Sequence, residues 1–215
     1  MLALFDLDET LIAGDSAGKW IEFCIEHKLV DSSFLEQLAV YAQQYKNKTI
    51  DMRAFMEFFL RTVANRGERD VATLVADFVS QKIAPLAYPS MRTILHAHKN
   101  DRKILVSATA DFLVQPIAKL FDISETIASQ TERKNGIFTG RTIGILSFAE
   151  GKVRRLQEYL NKDYQTLIQD SYFYSDSIND LPLLECVKVP IVCNPDSLLA
   201  PIAQHRQWKC LQHVL

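Results

Sequence analysis

Asp6 and Asp8 stand two residues apart at the end of an apolar run, in Phe5-Asp6-Leu7-Asp8-Glu9-Thr10. On an extended or loop segment side chains alternate, so the two carboxylates point the same way. Two acids that close repel, and one pKa rises unless a cation sits beside them. The pair suits a bound metal, or one acid kept protonated for general acid work. An Asx-turn is the plainer reading of the same residues. Three other stretches could join them. Val106-Ser107-Ala108-Thr109 puts a small hydroxyl at a strand end beside a helix start, where hydroxyl and free amides can take an anion. Gly151-Lys152 opens a helical segment, and its lysine can reach an anion as a point charge. Ser175-Asp176-Ser177-Ile178-Asn179-Asp180 sets two acids four apart in a loop after another apolar run. Taken singly, each has an ordinary explanation: a strand end, a solvated lysine, or acids meeting a helix dipole.

Such residues converge only if the chain positions them. Residues 2–6, 103–107, 171–176 and 189–194 are short apolar runs ending in a polar residue, which reads as buried strands. Helical patterns over 110–121 and 151–161 accompany them. This alternation predicts an α/β fold, a parallel sheet covered on both faces. Ligands then bind beyond the carboxyl ends of the strands, so the polar residues ending these four runs would converge on one crevice.

Residues 16–84 break the alternation with a helical period throughout. Stripes run through Trp20–Ile25, Phe34–Tyr45, Met52–Val63 and Val71–Val79. Burial rules assign their aromatic and Met residues to the core of a helical bundle. Ser33 and Glu36 are spaced for a capping box. The sheet is expected to resume near Tyr88-Pro89. Gly- and Thr-rich residues 136–146 suggest a hairpin, and Trp208–Leu215 a short strand or tail on the sheet edge.

The bulk properties exclude several classes. The chain has 215 residues, 48% hydrophobic and 23% charged, with a formal net charge of -2. Its basic residues are scattered, so nucleic-acid binding is not expected. The four cysteines lack CxxC spacing, arguing against zinc or a disulfide framework. No apolar run approaches the roughly 18 residues of a membrane span, and no signal peptide is evident. A cytoplasmic location is expected.

In this order, DxDxT, hydrophobic-Ser-x-Thr, Gly-Lys and SDxxxD, the sequence resembles the haloacid dehalogenase-like hydrolases, in their phosphoserine-phosphatase-like branch. The resemblance implies a Rossmann-like core (residues 1–14 and 86–215) with an inserted helical C1 cap (15–85). It implies a phosphatase with Asp6 as nucleophile and Asp8 as acid and then base. Mg2+ would be held by the Asp6 and Asp176 carboxylates and the Asp8 carbonyl, an oxygen donor set that suits it. Ser107, Ala108, Lys152 and Asn179 would hold the phosphoryl group, Asp180 the metal's outer shell or Lys152, and Thr10 would orient the first loop. The substrate would be a small phosphorylated metabolite. A non-catalytic phosphometabolite- or partner-binding protein on the same fold, and a phosphotransferase, remain alternatives.

Cap residues should choose the leaving group. Asp15, nine positions after Asp6, and Arg61 match the acid and cap arginine of phosphoserine phosphatases. They could bind an amino acid's ammonium and carboxylate. The competing roles are a helix cap for Asp15 and an exposed helix position for Arg61. Ser107-Ala108-Thr109 and Ser175-Asp176-Ser177 stand where those enzymes usually have Ser-Gly-Gly and Gly-Asp-Gly. These variants resemble a related group, some acting on histidinol phosphate, whose amine would need Asp15 but not Arg61.

Overall fold

The computed structural model describes residues 1–215. Seven strands form one sheet in the order β4-β3-β2-β1-β5-β6-β7. They are β1 (Leu2–Phe5), β2 (Arg102–Ala110), β3 (Glu125–Lys134), β4 (Ile137–Ile143), β5 (Ser171–Ser175), β6 (Val189–Cys193) and β7 (Lys209–Leu211). All neighbours pair in parallel except β3 and β4. β1 is wholly buried, and its neighbours are β2 and β5. That central place makes the three motif loops adjacent at one end of the sheet.

Side chains of β1 alternate between two hydrophobic cores, as a strand covered on both faces requires. Leu2 and Leu4 join one with Phe173, Val192 and the helices α7 (Glu150–Leu160), α9 (Leu181–Cys186) and α10 (Leu199–His205). Ala3 and Phe5 join a larger core that continues into the insert. The short α8 (Tyr164–Ile168) packs with the first group.

Four helices, α1 (Ser16–Glu26), α2 (Ser33–Lys46), α3 (Met52–Leu60) and α4 (Glu68–Phe78), follow β1, and a π-turn ends them. Helix α5 (Pro89–Ala97) comes next, so the sheet resumes at Arg102 and not near Tyr88-Pro89. Pro89 supplies a helix N-terminus, where its missing N–H costs nothing. Helix α6 (Asp111–Ala118) joins insert to sheet: Phe112 packs edge-on against Trp20 and stacks on Phe59, with centroids 5.7 and 6.0 Å apart. The expected capping box is absent. Asp31 accepts from Ser33 N at 2.8 Å, and Ser33 is already helical.

β3 and β4 form the hairpin through Asn135-Gly136, both at positive φ as a tight two-residue turn demands. The first strand of that hairpin, β3, has no counterpart in the apolar-run reading, because it mixes Glu, Ser, Gln and Arg into its length. β7 pairs with β6 at the sheet edge, within the C-terminal stretch where a strand was expected. No helix is long and apolar enough to cross a membrane.

Candidate active site

Asp6 leaves β1 between β2 and β5, and its N–H donates to Tyr174 O at 2.9 Å. Lys152, near the start of α7, is buried and donates to Asp6 Oδ1 and Asp180 Oδ2, both at 2.7 Å. Ser175 Oγ donates to the same Asp180 oxygen at 2.7 Å. Burial pushes the Lys152 ammonium down, but Asp180 and Asp6 outweigh it and hold the group above its ordinary value.

The approach of Lys152 depends on Gly151. A Cβ there would lie 2.0 Å from the carbonyl oxygen of Leu146. Gly151→Ala is therefore expected to move the start of α7 and to cost about 3 kcal/mol as an overpacking change. Thermal denaturation should show a drop of roughly 6–12 °C on that figure. An unchanged melting temperature would contradict the packing argument.

Asp8 is fixed by the insert and by β2. Its Oδ1 accepts from Ser16 N at 2.7 Å and its Oδ2 from Thr109 Oγ1 at 3.2 Å. Ser107 Oγ accepts from Thr109 N at 3.2 Å, and the Ala108 carbonyl accepts from Ser129 Oγ at 2.7 Å. Thr10 is buried and donates to Asp176 Oδ1 at 3.5 Å, tying the first acidic loop to the last. Asn179 N donates to Ser177 Oγ at 3.2 Å, and the Tyr45 hydroxyl from α2 lies 3.2 Å from that oxygen. Asp196 supports the last loop: it accepts from Ile178 N at 2.8 Å and from two amides at the start of α10. Its lone acid in a Pro-Asp-Ser turn gave no sequence signal.

The carboxyls are crowded beyond what Lys152 can neutralise. Burial, opposed by Lys152, lifts Asp6 to about 6. Burial, Asp15 and Asp6 push Asp8 to about 8. Asp176 is raised well above its ordinary value by burial and then by Asp6 and Asp180. A divalent cation between Asp6 and Asp176 would relieve this charge. The donors on offer are all oxygen, so the residues fit Mg2+.

These side chains line one crevice of about 390 Å3. Asp6, Asp8, Ser107, Ala108, Lys152, Asp176, Asn179 and Asp180 all reach it. Thr10 is buried and does not line it. Asp15 also lines it while capping α1, accepting from Ala17 N at 3.0 Å and Gly18 N at 3.2 Å. Arg61 does not. It ends α3 on another surface, with its guanidinium 5.0 Å from the Phe34 ring centroid.

The bundle-core assignment also needs correction for α2 and α3. Leu38, Tyr41, Tyr45, Met52 and Phe55 line the crevice, joined by Phe148 from the loop before α7. Helical period alone cannot tell a face turned to a core from one turned to a ligand cavity. Glu9 lines the crevice as well, at φ 54 with Tyr88 OH donating to its Oε2 at 3.2 Å. In the sequence it stands at the unspecified position of DxDxT, which carries no signal of a crevice role.

Known proteins share this architecture. A histidinol-phosphatase of Neisseria meningitidis serogroup C (strain 8013) is 37% identical, with 98% of this chain and 97% of that protein aligned. A Bordetella pertussis Tohama I protein of unknown function superimposes with a TM-score of 0.87 at 34% identity, covering 98% and 97% of the two chains. A substrate-bound phosphoserine phosphatase gives a TM-score of 0.70 at 16% identity, covering 98% and 91%, a likeness of fold. The family description "haloacid dehalogenase-like hydrolase" matches residues 3–185, and with the motif loops of that span gathered round one crevice, the chain belongs to that family.

Proposed function

We propose that this phosphatase cleaves a small amino-alcohol phosphate, of which histidinol phosphate is the leading candidate, through an aspartyl-phosphate on Asp6. The observation that carries the substrate choice is the crevice wall. It is aromatic and apolar, it holds Asp15 and Glu9, and no arginine lines it. An ammonium has two carboxylates to meet, and an imidazole has Tyr41, Phe55 and Phe148 to pack on. Apart from Lys152, which Asp6 and Asp180 hold, a substrate carboxylate would find only Lys46, exposed in the last turn of α2. The similarity to the Neisseria histidinol-phosphatase along nearly the whole chain supports the same choice.

The chemistry follows from the neighbours of each group. The Asp6 carboxylate attacks phosphorus as the ester P–O bond breaks, and Asp8 gives its proton to the leaving alkoxide. Asp8 then takes a proton from the water that attacks the aspartyl-phosphate, which frees phosphate and restores Asp6. Ser107, the amides about Ala108, Asn179 and Lys152 hold the phosphoryl oxygens. Asp180 and Ser175 position Lys152, and Thr10 aligns the acidic loops. Mg2+, held by Asp6, Asp176 and the Asp8 carbonyl, would supply neutralising charge at the phosphoryl group. Residues 15–85 act as the cap that excludes water from this site.

Steady-state assays test the reading. Histidinol phosphate should exceed phosphoserine in kcat/KM by at least about ten-fold, the scale of one unmatched polar group. Activity should vanish in EDTA and return with Mg2+. Preference for phosphoserine would overturn the substrate assignment, and full activity in EDTA the metal. Arg61→Ala should leave kcat/KM within about two-fold on both substrates, because Arg61 lies outside the crevice.

A further inference from the structure

A second cavity, of about 490 Å3, lies between α5, the start of β2 and the segment before β3. Arg92 and His96 stand four apart on α5, Lys99 lies in the turn just beyond its end, and Lys103 of β2 joins them. Asp122 is the one acid lining it. None of the four basic side chains makes an ion pair or a side-chain hydrogen bond within the chain. Some cations elsewhere do, such as Arg102 with Glu125, Arg133 with Asp111 and Arg206 with Glu185, so what sets these four apart is their gathering in one hollow.

This arrangement is costly in the free protein. Arg92, Lys99 and Lys103 put three cations around one hollow, and like charges gathered there repel. A chain with a net charge of -2 has acids enough to separate them, yet three permanent cations and a histidine are gathered in a concavity. The floor is apolar, with Leu95 buried and Leu120 42% exposed toward solvent. A purely solvated charged face would need neither the hollow nor the exposed leucine.

We propose that this cavity binds a small organic phosphate, its anionic head among Arg92, Lys99 and Lys103 and its carbon body against Leu120. The cavity suits a metabolite rather than a polymer, since the cations converge on one hollow instead of forming a stripe. It is separate from the catalytic crevice. Lys103 pairs with Ala3 in the first half of its strand, whereas Asp6 and Ser107 lie beyond or near the other ends of theirs. The two cavities share no lining residue.

Amide NMR titration of the Mg2+-loaded protein with inorganic phosphate, at constant ionic strength, tests this. Two saturable sets of shifts are expected, one at the crevice and one over residues 92–103 and 120–122. Arg92→Gln/Lys103→Gln should weaken the second set at least ten-fold and leave the first set and basal kcat unchanged. Lys103→Arg should retain the second set, and Lys99→Gln alone should weaken it should the double variant fail to fold. Titration with propylphosphonate, whose C–P bond the crevice cannot hydrolyse, at the same ionic strength should give tighter binding at the second set than inorganic phosphate does. Shifts confined to the crevice, a second set that rises linearly without saturating, or a second set unmoved by the variants would overturn the proposal. None of these outcomes depends on which monoester the crevice hydrolyses.

Discussion

Asp6→Asn is expected to abolish turnover, by roughly 10^4-fold or more, while leaving the fold intact. The magnitude is that of removing a covalent nucleophile from a site whose other members remain. The amide is nearly isosteric but cannot form an acyl-phosphate under these conditions. Stability should move in the opposite direction from activity. Asp6 has its folded carboxyl raised to about 6 from an ordinary value near 3.8, chiefly by burial. A group raised on folding contributes stability below its unfolded pKa and loses it as pH rises through the folded value. At pH 7.5 without metal, the ionised Asp6 is therefore a net cost. The asparagine variant should melt at or above the wild type in EDTA. Mg2+ should then raise the wild-type melting temperature more than the variant's, because the ion has lost one ligand. Turnover within ten-fold of wild type would remove Asp6 as nucleophile.

Three motif loops were legible because strand-end chemistry is local: an apolar run ending in Asp or Ser shows both the strand and what it presents, whereas Gly151-Lys152 showed only as the start of a helical pattern. That they meet at one crevice follows from β1 lying between β2 and β5, which the sequence pattern implied without stating the order. What was not legible depends on direction in space. Tyr41 and Phe55 have the same helical spacing as Trp20 and Phe59, yet the first two face the crevice and the second two meet Phe112. Arg61 occupies a plausible position along the chain and the wrong side of the insert. Asp15 illustrates a residue for which the two readings do not exclude each other, since it caps α1 and also lines the crevice. Asp196 acts through backbone amides eighteen residues upstream and at α10, a relation that only the fold creates.

Lys152→Met should cost both stability and activity, and its pH dependence separates the two. Lys152 is the one cation shared by Asp6 and Asp180, at 2.7 Å from each, with all three side chains buried. Removing one member of a buried ionic group leaves its partners uncompensated, a loss of about 3–5 kcal/mol. Methionine fills most of the volume, so cavity formation contributes little. Without Lys152, the influences left on Asp6 are mainly burial and Asp180, and both raise its pKa. The unfolded chain then releases its proton before the folded chain does, and stability falls as pH rises above about 4. In EDTA, the stability deficit of the variant should be small near pH 4.5 and largest above pH 7. A deficit independent of pH would mean that packing, not charge, is what Lys152 supplies. Turnover should fall by about 10^2–10^3-fold, the scale of losing a preorganised donor to charge that develops in the transition state. Arginine should not rescue it, because a planar, forked guanidinium cannot stand in for a compact ammonium held 2.7 Å from both Asp6 and Asp180.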